Sequence, residues 1–203
     1  MRIDVVDYGV GNLASVSKAL AFVGATPIRL GRPDEIVNAG AIVIPGVGHF
    51  AATGALGDDW RDAIASAIAR GVPVLGICLG MQWLFDGSSE DAGIAGLGAI
   101  AGTCSTLSGD VKVPHVGWNT LEKAAKDSVL LAGIADGAFV YFTHSYAAPV
   151  TVDAVATTTH GREFASVVER GRVFGAQWHP EKSGAVGLAV LANFVHLART
   201  TAC

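Results

Sequence analysis

The segment Gly76-Ile77-Cys78-Leu79-Gly80 constrains the fold of this chain more than any other. It follows the apolar run 74–77 and precedes a helical pattern over 79–85, which is the layout of a strand, a tight turn and a helix. A nucleophile on such a turn sits on strained backbone, and neighbouring side chains would clash there, hence a glycine on either side. The turn lifts the thiol out at the carboxyl edge of a sheet and puts it at a helix N-terminus, where the dipole favours thiolate. Most free cysteines are inert core residues, and that reading is kept for Cys104 and Cys203. At Cys78 the flanking glycines and the strand-turn-helix context reverse it.

The rest of the chain supplies the sheet such a turn needs. Short apolar runs at 3–6, 27–30 and 41–44 read as strands. Between and after them, helical spacing runs from Asn12 to Val23 (Leu13, Val16, Leu20, Val23) and over 60–69, stopped by Gly24 and Gly71. Strands alternating with helices imply an α/β fold in three layers, a mostly parallel central sheet with helices on both faces. The second half reads differently. Runs at 139–142, 152–159, 165–169 and 173–177 are strand-like, with a hairpin at Arg170-Gly171, and a last helix covers about 184–199. The 203 residues carry no repeat or linker, so residues 1–203 are expected to form one domain.

Composition removes several classes of function. Hydrophobic residues make up 51 % and charged residues 16 %, which excludes a disordered chain. The formal net charge is −4 and no cluster of Lys and Arg occurs, which argues against nucleic acid. Three widely spaced cysteines are not a disulfide framework. The N-terminus lacks the apolar core of a signal peptide, and every apolar run is broken before the ~20 residues a membrane span needs. A reduced, cytoplasmic, soluble protein with no membrane partner is expected.

A cysteine nucleophile needs a base and a group that orients the base. His179 stands out among six histidines because it sits in Gln177-Trp178-His179-Pro180-Glu181 at the end of a predicted strand. Pro180 biases His179 towards extended backbone, where residues two apart point the same way, so Glu181 is expected to share its face and hold one imidazole tautomer. The order Cys…His…Glu differs from the Ser…Asp…His order of α/β-hydrolases. Pro45-Gly46-Val47-Gly48 also follows a strand, and its glycines let backbone N–H groups approach a reacting oxygen. With the N–H of Leu79 it would form an oxyanion hole.

Together these segments resemble the triad-type (class I) glutamine amidotransferases, which have a flavodoxin-like fold. Within that group, Asp7-Tyr8-Gly9-Val10-Gly11-Asn12-Leu13, Pro45-Gly46-Val47-Gly48, Gly76-Ile77-Cys78-Leu79-Gly80-Met81-Gln82, Pro114-His115-Val116-Gly117-Trp118-Asn119, His144-Ser145-Tyr146 and His179-Pro180-Glu181-Lys182-Ser183 resemble the glutaminase subunits of imidazole glycerol phosphate synthase. The resemblance implies hydrolysis of L-glutamine through a thioester on Cys78, with His179 and Glu181, and transfer of the ammonia to a (β/α)₈-barrel cyclase subunit in a heterodimer. It implies oxyanion donors at Val47 and Leu79 and glutamine-binding positions at Gly48, Gln82, Glu90, Ser145 and Tyr146. Glu90 is the natural partner of the substrate ammonium. The partner is expected near Asn12, His115, Trp118, Asn119 and Lys182, and neither cofactor nor metal is implied. The chain departs from the family's usual residues at His49, Trp83, Asp86 and Trp178, none of them a catalytic position.

Two rival readings use other features. Gly9-Val10-Gly11-Asn12-Leu13-Ala14 fits the G-x-G-x-x-A pattern of dinucleotide sites, with Asp34 about the required ~20 residues on, but Asp34 follows Pro33 in a loop instead of ending a strand. The same amidotransferase chemistry also serves anthranilate, purine, pyridoxal phosphate and carbamoyl phosphate synthesis. Asn12 and the His115–Asn119 segment set this chain apart from those subunits by resemblance.

Overall fold

Apolar runs flanked by glycine, proline or polar residues become the central strands of a computed structural model that describes residues 1–36, 39–123 and 127–201. Cys203 lies outside the described residues. In chain order the elements are β1 (Arg2–Val6), α1 (Leu13–Phe22), β2 (Thr26–Leu30), β3 (Ile42–Gly46), α2 (Asp58–Ala69), β4 (Val74–Cys78), α3 (Leu79–Trp83), β5 (Gly87–Ser88), β6 (Asp91–Ala95), β7 (Thr103–Thr106), β8 (His115–Thr120), β9 (Glu122–Lys123), β10 (Phe139–His144), β11 (Tyr146–Ala147), β12 (Ala154–His160), β13 (Arg162–Arg170), β14 (Val173–Ala176) and α4 (Gly184–Thr201). Short 3₁₀ segments lie at Pro33–Glu35, Phe50–Ala55 and Pro180–Lys182.

The main sheet has the order β2-β1-β3-β4-β14-β13-β12-β9. Its first five strands pair in parallel, and β13, β12 and β9 continue it antiparallel. The period of two along the buried strands sorts the core into two layers. Val5, Val43, Leu75 and Ile77 face α1 and α4, where Val16, Leu20, Leu191 and Phe194 cover them. Val6, Ile42, Ile44 and Val74 face α2 and α3, where Trp60, Ile64, Met81 and Trp83 cover them. The strand carrying Cys78 therefore lies inside the parallel half, covered on both faces, with only its carboxyl end open to a site.

The second half departs from the predicted elements in its small strands. β10 pairs with β8 in a two-stranded sheet, and β11, β7, β5 and β6 form another. None of β5 to β9, nor β11, is predicted from apolar patterning. β6 reads Asp-Ala-Gly-Ile-Ala and is largely exposed, and β8 buries His115 while exposing Val116 and Trp118, the inverse of the usual alternation. The strand expected over 152–159 begins at Ala154, since Val152 is fully exposed. The hairpin at Arg170-Gly171 joins β13 to β14, with Gly171 at φ 59°.

Candidate active site

Cys78 has φ 53° and ψ −108°, and it is the one non-glycine residue with positive φ among the described residues. Such backbone costs of order 1–3 kcal/mol and persists only where packing enforces it. The two glycines show how. A Cβ on Gly80 would overlap the Ile44 carbonyl oxygen, and one on Gly76 would lie 2.6 Å from the carbonyl oxygen of Gly80. The helix behind the elbow is shorter than predicted. α3 ends at Trp83 because the carbonyls of Trp83, Leu84 and Phe85 accept from Leu97, Ile100 and Gly98 instead of continuing the helix. Five residues carry little macrodipole, so the main electrostatic partner of Cys78 is a side chain.

That side chain is His179. It leaves β14 at the strand next to β4 and is 1 % exposed. Its Nδ1 donates to Glu181 Oε1 at 2.9 Å, and both side chains are 1 % exposed. An ionised carboxylate only accepts, so Nδ1 carries a proton whatever the charge of the ring, and Nε2 is the nitrogen that exchanges a proton with the nucleophile. Nε2 has no hydrogen-bond partner in the resting geometry. Burial alone would lower the imidazole pKa, but the interactions with Cys78 and then Glu181 outweigh it and raise it to about 9. The backbone of His179 is clamped: its N–H donates to Tyr141 O at 3.0 Å, and Ser183 Oγ donates to its carbonyl at 2.7 Å.

The His179–Glu181 contact is made differently from the sequence expectation. His179 itself is extended (φ −100°, ψ 98°), but Pro180–Lys182 forms a 3₁₀ turn that folds the carboxylate back. The contact survives because Pro180 starts the turn, not because the segment stays extended.

The cleft at Cys78 is walled by the predicted glutamine positions Gly48, Gln82, Glu90, Ser145 and Tyr146, together with His49 and His144. Glu90 Oε2 accepts from the N–H of Phe50 at 2.7 Å, fixing one carboxylate oxygen. Gln82 Nε2 donates to Tyr146 O at 2.7 Å and to Gln177 Oε1 at 3.2 Å, so its amide builds the wall. Gly46 pairs with Cys78 across β3 and β4, which sets the Gly46-Val47-Gly48 loop beside the N–H of Leu79. His49 accepts from the N–H of Ala51 at 3.1 Å and starts the following 3₁₀ turn.

Three residues escaped the sequence reading. Gln177 is fully buried and its Nε2 donates to Cys78 Sγ at 3.8 Å. It stands two residues before His179, and the period of two used for Glu181 would have found it. Thr143 offers its carbonyl to Cys78 Sγ at 3.9 Å. The Tyr8 hydroxyl is buried without a partner, and burial followed by the Cys78 charge pushes its pKa up.

The five expected partner positions separate. Trp118 is 56 % exposed and packs edge-on against Tyr141, whose ring lies 5.9 Å from Lys182 Nζ. Asn119 is half-buried, its side chain bonded to His115 and to the Thr159 carbonyl on the side of β8 opposite Trp118. His115 is not on this face: its side chain is 4 % exposed and points into the core beneath β8. Asn12 caps α1, its Oδ1 accepting from Ser15 at 3.3 Å. Trp83 and Trp178 are fully buried, each with an unpartnered indole N–H. Asp34 lies in a 3₁₀ turn and pairs with Arg32, not at the end of β2 where a dinucleotide site would need it.

A cysteine on a strained elbow inside a parallel sheet, with a histidine–glutamate pair entering from the next strand, defines the class-I glutamine amidotransferases. The chain belongs to that family, whose model, "Glutamine amidotransferase class-I", matches residues 4–198. Within it the chain is a glutamine amidotransferase of the HisH group. It is 44 % identical over 200 residues to imidazole glycerol phosphate synthase subunit HisH of Methanosarcina acetivorans, covering 97 % of this chain and 98 % of that one. It is 45 % identical over 196 residues to the same-named subunit of Deinococcus radiodurans, covering 94 % and 91 %. Among solved structures, PurLQS from Thermotoga maritima shares the fold at a TM-score of 0.77 and 23 % identity, over 97 % of this chain and 98 % of that one. No helix among the described residues is long and apolar enough to cross a membrane.

Proposed function

We propose that the chain hydrolyses L-glutamine to glutamate and ammonia on Cys78, and passes the ammonia to a (β/α)₈-barrel cyclase subunit. That subunit would make imidazole glycerol phosphate and aminoimidazole carboxamide ribotide. The observation that carries the first part is the 2.9 Å His179–Glu181 bond, which leaves Nε2 free beside a nucleophile on strained backbone. With the Cys78 thiol proton on His179 Nε2, the sulfur attacks the carboxamide carbon, and the N–H groups of Leu79 and Val47 receive the developing oxyanion. His179 delivers its proton to the amide nitrogen, the C–N bond breaks and ammonia leaves. His179 then takes a proton from water, the hydroxide adds to the thioester carbon, the C–S bond breaks, and the proton on His179 is shared back with the freed Cys78 sulfur as glutamate departs. Glu90, with one oxygen committed to Phe50, binds the substrate ammonium with the other.

The second part rests on the relatives' name, which makes each the subunit of a larger synthase. The exposed Trp118–Tyr141–Lys182 cluster is the docking face that supports it. The whole chain acts as one amidotransferase domain in the cytoplasm. The test is glutamine hydrolysis by the chain with the cyclase and its nucleotide substrate. Glutamate formed in step with the cyclase products supports the reading, and intact glutamine refutes it. Co-purification with a cyclase barrel separates this pathway from the anthranilate, purine and pyridoxal phosphate amidotransferases.

A further inference from the structure

A chain of N–H bonds runs from β8 to the glutamine cleft, and its direction is set at both ends. At the outer end, Asn119 Oδ1 accepts from the N–H of Thr120 at 2.8 Å and Nδ2 donates to the carbonyl of Thr159 at 3.1 Å. A backbone N–H only donates and a carbonyl only accepts, so the amide cannot be flipped. The second N–H of Nδ2 is directed at His115 Nε2, with 3.3 Å between the nitrogens, so Nε2 must accept. His115 Nδ1 then carries the proton and faces His144 Nε2 at 3.1 Å.

The inner end requires the same arrangement independently. His144 Nδ1 lies 2.9 Å from the carbonyl of Tyr146 and must donate, so its Nε2 must accept from His115. The Tyr146 carbonyl also accepts from Gln82, which reaches Gln177 and, through it, Cys78 Sγ. Packing holds the rings: His115 stacks between Phe142 at 4.7 Å and His160 at 4.1 Å. The chain works only with both rings neutral, because a proton on His144 Nε2 would face the Nδ1–H of His115. Burial meets that condition, outweighing for His144 the bond to the Tyr146 carbonyl, and the neighbouring imidazoles disfavour a further charge. Burial lowers His115 to about 4 and His144 to about 3.

We infer that His115 and His144 are positioning residues for the glutamine cleft, a directional relay from Asn119 that holds the Ser145-Tyr146 wall where β10 passes into β11. Ser145 is the single residue between those strands and lines the cleft with Tyr146. His144 also borders the cleft, whereas His115 and Asn119 do not.

The activity part of the test rests on the glutaminase reading, and the spectroscopic part does not. Nitrogen-15 histidine spectra of the unmodified protein are expected to show His115 and His144 neutral at pH 7 with the proton on Nδ1. A proton on Nε2 of either ring, or an imidazolium, overturns the relay. In the complex with the cyclase, His115→Phe keeps the stacking shape but loses both nitrogens. It is expected to raise KM for glutamine roughly 3–10-fold with kcat little changed, since a wall contact of hydrogen-bond strength acts alike on ground and transition states. His115→Gln, which retains a donor and an acceptor, is expected to recover part of the loss. An unchanged KM in a folded His115→Phe protein overturns the positioning role. Should that variant not fold, the tautomers decide. Failure of the unmodified complex to hydrolyse glutamine would refute the functional reading and leave the tautomer result standing.

Discussion

At the scale of single residues, the site separates making the nucleophile from holding the substrate. His179→Ala removes the base and is expected to lower glutaminase kcat by ~10³-fold or more, whereas Glu181→Ala leaves the base present but poorly oriented and is expected to cost less. Steady-state rates of the two variants with the cyclase check the order, and equal, negligible losses would show that another group activates Cys78. Glu90→Ala is expected to raise KM for glutamine more than it lowers kcat, because an ammonium contact acts equally in ground and transition states. An unchanged KM would remove Glu90 from the site. His179 and the relay histidines also give opposite pH signatures. The imidazole of His179 is raised to about 9, so its contribution to stability is full below the unfolded value of roughly 6.5 and is lost as pH rises through 9. His115 and His144 are lowered to about 4 and 3, so theirs is full above roughly 6.5 and is lost as pH falls towards those values. Urea midpoints should therefore decline on both sides of about pH 6.5, and the alkaline decline should flatten in His179→Ala.

At the scale of elements, the elbow is the joint on which the site depends. Gly80→Ala would drive a methyl group into the Ile44 carbonyl and is expected to cost about 3 kcal/mol or to prevent folding, read from the urea midpoint. Wild-type stability in that variant would show that the turn is more pliable than its packing indicates. The same joint explains what was legible in the sequence. β3 and β4 are apolar runs because both faces are covered, β1 is broken only by Asp4, which is buried against Arg2, and the elbow glycines have a steric reason that can be stated without coordinates. The triad was legible for the same reason, since Cys78 and His179 end neighbouring parallel strands. The strands between Gly87 and Thr120 were not, because they are short, half-exposed and held by pairing more than by apolar burial. The early end of α3 was hidden because backbone carbonyls chose partners far along the chain. His115 was expected near the partner by resemblance alone, and only the pairing of β8 with β10 shows which face it takes.

At the scale of the whole molecule, a glutaminase running alone would waste glutamine and release ammonia into water, so control by the partner is expected. The loop Gly46-Val47-Gly48 is where it would act. Gly48 already has φ 96°, and turning the Val47 N–H away from the oxyanion would remove a donor worth ~10²–10³ in kcat. A partner favours the active orientation only by binding it more tightly. Glutamine hydrolysis is therefore expected to be low for the lone chain, higher with the cyclase and highest with its nucleotide substrate added. Full activity in the lone chain would end the gating idea and leave the chemistry intact. The chemistry itself rests on Cys78, and the most direct measurement is to treat the active complex with a diazo-ketone analogue of glutamine, which alkylates the attacking thiol, and map the product by peptide mass spectrometry. Modification of Cys78 alone, with parallel loss of glutaminase activity, is the predicted result. Cys104 should stay unmodified, being fully buried with its thiol pushed up to about 12. Complete inactivation with Cys78 unmodified would contradict the account.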